Sequence, residues 1–288
     1  MNNASASVCH AFLGKLPPEK RSALLKLLPR ETEEKLEALP KTWADPTQGL
    51  KTLALWLGEI HYSWFAPILR TMPQGEILLF LSSLSDTAIL GLKKILLFSA
   101  TTAPLTPQGK KYLHQLLYKK LTQGEKELLP LECLPESSMN ALLEIRVADL
   151  NALIDFLGLH DLAVEVRHII ETAKLKKINE ALSANEQAYL RILLQSREPV
   201  TFARMGITNW QGDAEALKSL IRQRGLNRLA KAVQGQHSSF IWYLTRRLDI
   251  DRSLILQKLI APLENSAATS MLAGQVLELL SYMRQYRE

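Results

Sequence analysis

Prolines punctuate this chain. Pro17-Pro18, Pro29, Pro40, Pro46, Pro73, Pro104, Pro107, Pro130, Pro135, Pro199 and Pro262 divide a series of leucine-rich stretches. A proline inside a helix removes an N–H and clashes with the preceding turn, so such positions mark where helices begin or end. The spacing predicts helices of about three turns joined by short connections. Between the prolines apolar residues recur every three or four positions, and strict alternation of Val, Ile and Thr is absent. The fold class predicted is all-α. The last stretch shows the pattern well: Leu272, Val276, Leu279, Leu280 and Met283 form one stripe, with Gln275, Glu278, Arg284 and Gln285 mostly outside it.

Short helices of this kind cannot bury a face alone. Leu13-Gly14-Lys15-Leu16-Pro17-Pro18-Glu19 leads into Ala23 to Pro29, and Leu69-Arg70-Thr71-Met72-Pro73-Gln74-Gly75 leads into Leu78 to Ser85. Each unit is a helix end, a proline turn and another apolar helix that needs a neighbour. The expected architecture is a multi-lobed, armadillo-like helical array. Asp86, Ser137, Ser183, Thr208 and Asp251 stand where N-caps would fall. Soft boundaries near Thr122–Gly124 and Ser196–Pro199 suggest three domains, 1–122, 123–196 and 197–288.

Composition excludes several classes. With 288 residues, 47% hydrophobic and a net charge of +6, the chain has enough apolar surface to fold and lacks the signature of disorder. Cys9 and Cys133 allow one bridge at most, and two free thiols suit a reducing cytoplasm. The most apolar stretch, Ile77 to Phe98, is interrupted by Asp86, Lys93 and Lys94, so it reads as two buried helices instead of a membrane span. Met1 to Ser7 lacks the basic start and apolar core of a secretory signal. A cytoplasmic protein is expected.

Motifs for chemistry are missing. The sequence holds no Walker-type loop, no Gly-x-Gly-x-x-Gly after a strand and no Gly-x-Ser-x-Gly elbow, and no cofactor is expected. Asp161, Glu165 and His168 lie on one helical face, and Glu165 to His168 match the Glu-x-x-His of di-iron bundles. A di-iron site needs a second copy and two further carboxylates, so this set reads as a solvated face beside Arg167 and no metal is predicted. An enzyme built on those three residues is the least favoured reading. Cys9-His10 has no second Cys/His pair at ligand spacing. Basic residues concentrate late, at Lys218, Arg222, Arg224, Arg228 and Lys231 and then Arg246, Arg247, Arg252 and Lys258. Such a patch suits an acidic protein or an anionic membrane surface, and poor aromatic interleaving disfavours nucleic acid.

The C-terminal stretch resembles the flagellar motor switch protein FliG family. Leu217-Lys218-Ser219-Leu220-Ile221-Arg222-Gln223, followed by Leu229-Ala230-Lys231-Ala232-Val233-Gln234-Gly235, is similar to two successive helices of that family, with a turn at Gly225 between the charges. The likeness continues through Phe240, Leu244, Leu248, Leu256 and Ile260 to Gln275 to Leu280. A weaker match places His61, Phe65, Ala66, Ile68, Leu69 and Pro73 on the segment that in the family helps hold a neighbouring ring protein. Ser219, Gly225 and Ile241 stand where the family carries torque-helix charges, so the resemblance implies a non-flagellar relative.

What the resemblance implies is a non-enzymatic adaptor in the cytoplasmic platform of a type III secretion apparatus, at the cytoplasmic face of the inner membrane. Its partners would be other ring proteins, with an anionic membrane surface and self-assembly as further contacts. The expected contact residues are His61, Trp64 and Phe65 on one face and Arg222, Arg224 and Arg228 on another. The alternative is a soluble chaperone or regulator of secreted proteins.

Overall fold

A computed structural model describes residues 3–14, 16–37, 53–99, 101–125, 127–261 and 266–285. Pro40, Pro46 and Pro262, three of the expected breakers, lie outside them. Every regular element among the described residues is helical, as the all-α prediction requires. No helix among them is long and apolar enough to cross a membrane. The chain forms two compact units, Met1–Ser137 with His237–Tyr243, and Ser138–Gln236 with Leu244–Glu288. This differs from the three-way division expected: position 196/197 falls inside the second unit, because helices from both sides of it pack on one another.

In the first unit, α1 (Asn3–Gly14), α2 (Pro18–Leu25) and α3 (Arg30–Glu37) enclose Ala6, Leu13 and Leu36, with Leu16, Leu25 and Leu28 packed against them. After α4 (Leu53–Glu59) comes a 3-10 turn, Tyr62–Phe65, then α5 (Ala66–Arg70), α6 (Gln74–Ser83), α7 (Asp86–Leu96) and α8 (Pro107–Leu121). Pro17 and Pro73 occupy the N-cap positions of α2 and α6, so both copies of the internal echo are helix–proline–helix turns. α4 packs on α8 and the 3-10 turn on α7, burying Trp56, Leu57, Phe65, Leu69, Leu81, Leu92 and Leu117. The apolar stretch 77–98 is two helices, as expected, but they are not wholly buried: Leu92 is the one buried residue of α7, and Leu79, Leu90 and Leu97 are exposed. Leu97 ends the second with a left-handed φ of 54°.

The second unit is built around α9 (Val147–Val166). Leu150, Leu153, Ile154, Leu157, Leu159, Leu162 and Ala163 are buried together with His160, Asp161 and Glu165, so its central and later turns are covered on most of their circumference. α10 (Thr172–Ala181) and α11 (Ala184–Gln195) follow, with Ser183 and Glu186 forming the capping box at the start of α11. α12 spans Ala214–Ala232, and α14 (Ile250–Leu259) and α15 (Ser266–Gln285) complete the unit, while α13 (Ser238–Arg246) belongs to the first unit as far as Tyr243. Ser183 caps as expected, but the cap is Ser85 in place of Asp86, Asp213 in place of Thr208, and Asp249 in place of Asp251. In α12 and α14 the capping carboxylate accepts from backbone N–H groups two or three residues on, which fixes the start by geometry.

α12 corrects a second expectation. It runs unbroken through Gly225, where a turn between two helices was expected. Gly225 has no Cβ because α9 leaves no room for one. A Cβ there would sit 1.7 Å from the carbonyl oxygen of Ile154, and one on Gly158 would sit 2.0 Å from that of Ile221. Asp155 with Arg222 and Asp161 with Arg228 are each 67 residues apart, as are the two glycines. A constant offset means that α9 and α12 run in the same direction, with the glycines facing one another. Parallel neighbours need a long return, and residues 167–213 with α10 and α11 supply it.

Candidate functional site

The residues expected to bind partners fall in both units. In the first, Phe65 is not a surface residue: it is 1% exposed and fills the core, which corrects its assignment as a contact. Trp64 and His61 are partly buried. His61 precedes the 3-10 turn, its Nδ1 accepting from the Ser63 N–H at 3.3 Å, and its ring lies 4.3 Å from that of Tyr62. Tyr62 in turn covers Gly91 of α7 so closely that a Cβ at Gly91 would overlap the ring at 2.4 Å. Gly91→Ala should therefore displace the turn carrying His61 and Trp64. A drop of several degrees in melting temperature, read by circular dichroism, checks it.

In the second unit the three arginines do not form one patch. Each residue of a helix turns about 100°, so Arg222 and Arg228, six residues apart on one continuous α12, point in different directions. Arg222 is exposed and forks onto Asp155, with Nε 3.1 Å from Oδ1. Burial pushes the Asp155 carboxyl above its ordinary value although Arg222 pulls it down. Arg224 donates to the carbonyl of Arg204 at 2.6 Å, and Lys231 to that of Ala261 at 3.1 Å. Arg228 is fully buried, which corrects its assignment to an exposed basic face.

Arg228 is the centre of a sealed polar cluster. A guanidinium has five N–H donors. Here Nε and Nη2 donate to Asp161 Oδ1 at 3.2 and 2.6 Å, and Nη1 donates to Glu198 Oε1 and Gln275 Oε1, each at 2.9 Å. The fifth reaches the Val200 carbonyl at 2.9 Å, and the ring of Phe202 lies 5.3 Å from the guanidinium carbon. Asp161 Oδ2 is buried without a hydrogen-bond partner. His160 Nδ1 lies 2.7 Å from Glu198 Oε2, and its Nε2 lies 3.0 Å from the Tyr189 hydroxyl. Because an ionised carboxylate only accepts, His160 Nδ1 carries the proton.

Burial alone would raise the Glu198 carboxyl. The His160 bond, the Arg228 guanidinium and the Gln275 amide outweigh that and hold it down to about 2. The folded value lies below the ordinary 4.5, so the unfolded chain binds the extra proton. Stability from this group is complete above about pH 4.5 and is lost as pH falls towards 2. Denaturant titrations across that window should show a steep acid limb that Glu198→Gln flattens. An unchanged limb would remove Glu198 from the cluster's energetics.

The sequence placed Asp161, Glu165 and His168 together on a solvated face. The first two are instead buried, Asp161 on Arg228 and Glu165 accepting from the Met205 N–H at 3.2 Å, while His168 is exposed beyond the end of α9. Gln275, expected mostly outside its apolar stripe, is also buried, because its amide bridges Arg228 and Glu198. Among the described residues no group of three or more His, Cys, Asp or Glu is placed to hold a metal. In comparisons with models of known families, with curated proteins and with solved structures, nothing matches the chain.

Proposed function

We propose that this chain is a non-enzymatic adaptor of the FliG type, working in the cytoplasmic platform of a type III secretion apparatus. One observation supports it above the others. Leu217, Leu229, Leu244, Leu248, Leu256 and Val276, which carry the C-terminal resemblance, are all 0% exposed within the second unit. The likeness therefore lies in a packing framework, the part a scaffold would keep after losing motor charges. Gly225, which stands at one of the charged positions, faces Gly158 and has no room for an acidic side chain. In this reading the first unit is an armadillo-like stack whose contact face includes His61 and Trp64. Exposed Arg222 adds a second face towards ring partners or an anionic membrane surface.

The test is isolation of the tagged protein from cells followed by mass spectrometry. Ring components should co-purify, and Trp64→Asp should release them while the melting temperature holds, because an aromatic anchor at an interface carries much of the binding energy. Recovery of secreted effectors without ring proteins would favour a chaperone and reject the adaptor. Phe65→Asp should instead unfold the first unit, since it places a charge in the core.

A further inference from the structure

Four aromatic rings gather in the first unit. Trp56 stacks on Trp242 with centroids 5.8 Å apart and planes 2° from parallel, and meets Tyr118 and Tyr243 edge-on at 5.1 and 6.1 Å. The rings are held in place. Trp242 Nε1 donates to Glu125 Oε1 at 2.9 Å, and the Tyr243 hydroxyl donates to the Leu129 carbonyl at 2.9 Å. Beside them lies a cavity of about 200 Å³ lined by Trp56, Tyr118, Tyr243, Pro130, Leu131 and Glu132. Tyr118 is 38% exposed, so the cavity can be reached from solvent.

The chemistry of these walls selects a ligand. Aromatic faces attract cations through their quadrupole, and a carboxylate beside them adds a charge of the right sign. Sites for small molecules usually measure about 300–1,000 Å³, so a cavity of this size suits one side chain better than a metabolite. The surroundings agree. The stretch from Gly124 to Glu136 holds Glu125, Glu127, Glu132 and Glu136 against Lys126 alone, in a chain whose net charge is +6. Among basic side chains arginine fits best, because its planar guanidinium both stacks on a ring and forks onto a carboxylate.

We propose that the cavity between Trp56, Tyr118, Tyr243 and Glu132 receives the arginine side chain of a partner protein. This assignment does not depend on which assembly the chain serves. The full-length protein, labelled with nitrogen-15, is titrated with a blocked Ala-Ala-Arg-Ala-Ala peptide while the tryptophan indole resonances are followed, Trp56 being assigned by Trp56→Phe. The Trp56 signal should shift saturably with a millimolar midpoint. The same peptide with citrulline, which keeps the shape and loses the charge, should bind about tenfold more weakly. Tyr118→Ala and Glu132→Gln should each weaken binding about fivefold in protein whose circular dichroism shows the fold retained. Equal binding of the citrulline peptide, absence of a saturable shift, or indifference to both substitutions would overturn the proposal. Tetramethylammonium saturating the site as tightly as the peptide would make it a small-cation site and overturn the assignment to a protein side chain.

Discussion

Arg228→Met is expected to lower the unfolding free energy by about 3–5 kcal/mol, the usual cost of leaving a buried carboxylate without its partner. Asp161 and Glu198 would both lose the guanidinium, and Asp161 already has one oxygen without a hydrogen bond. His160 remains on Glu198, so Asp161 bears most of the loss. Arg228→Lys should recover less than half, because an ammonium has three donors on a flexible stem where the guanidinium satisfies five fixed bonds. Adding Asp161→Asn and Glu198→Gln to Arg228→Met should recover most of the stability, since the penalty comes from unpaired charge more than from lost attraction. Urea denaturation of the four proteins measures this. Wild-type stability in Arg228→Met alone would mean that water reaches the cluster and that it is not sealed.

The sequence carried the local structure of this chain well and its tertiary pairings poorly. Proline spacing and leucine periodicity are short-range signals, so the helices around Pro17 and Pro73, the split of residues 77–98 and the stripe at Leu272, Val276, Leu279 and Leu280 were legible. Charge was misleading for a physical reason. Arg228 looks like any arginine on a basic helix, and only the arrival of Asp161 from α9, Glu198 from the α11–α12 connection and Gln275 from α15 makes burial affordable. A partial signal existed. Asp161 and Glu165 stand among Leu157, Leu159, Leu162 and Ala163 in a helix apolar around most of its surface, a setting in which a carboxylate must find a partner. The aromatic cavity had no comparable trace, because Trp56, Tyr118 and Tyr243 are far apart in sequence and only the fold brings their rings together.

Gly225→Ala is expected to destabilise the protein by about 3 kcal/mol or more, although the same change in an open helix stabilises by up to about 1 kcal/mol. The new Cβ would lie 1.7 Å from the Ile154 carbonyl oxygen, a backbone atom that no side-chain rotation can move aside. α9 and α12 must then separate, and every interaction in the shared 67-residue register loosens with them. Asp155–Arg222 and Asp161–Arg228 sit about one turn to either side, so the sealed cluster opens as the crossing widens. Gly158→Ala, at 2.0 Å from the Ile221 oxygen, should cost a similar amount. The double variant should cost less than the two combined, because the first substitution has already moved the helices apart. Gly274 supplies the control. It lies within α15 with nothing inside 4 Å of a Cβ, so Gly274→Ala should raise stability by about 0.5–1 kcal/mol. Chemical denaturation followed at 222 nm, a wavelength that reports helix, separates these outcomes. If Gly225→Ala and Gly274→Ala moved stability the same way, Gly225 would be an ordinary helical glycine and the close contact of α9 with α12 would be wrong.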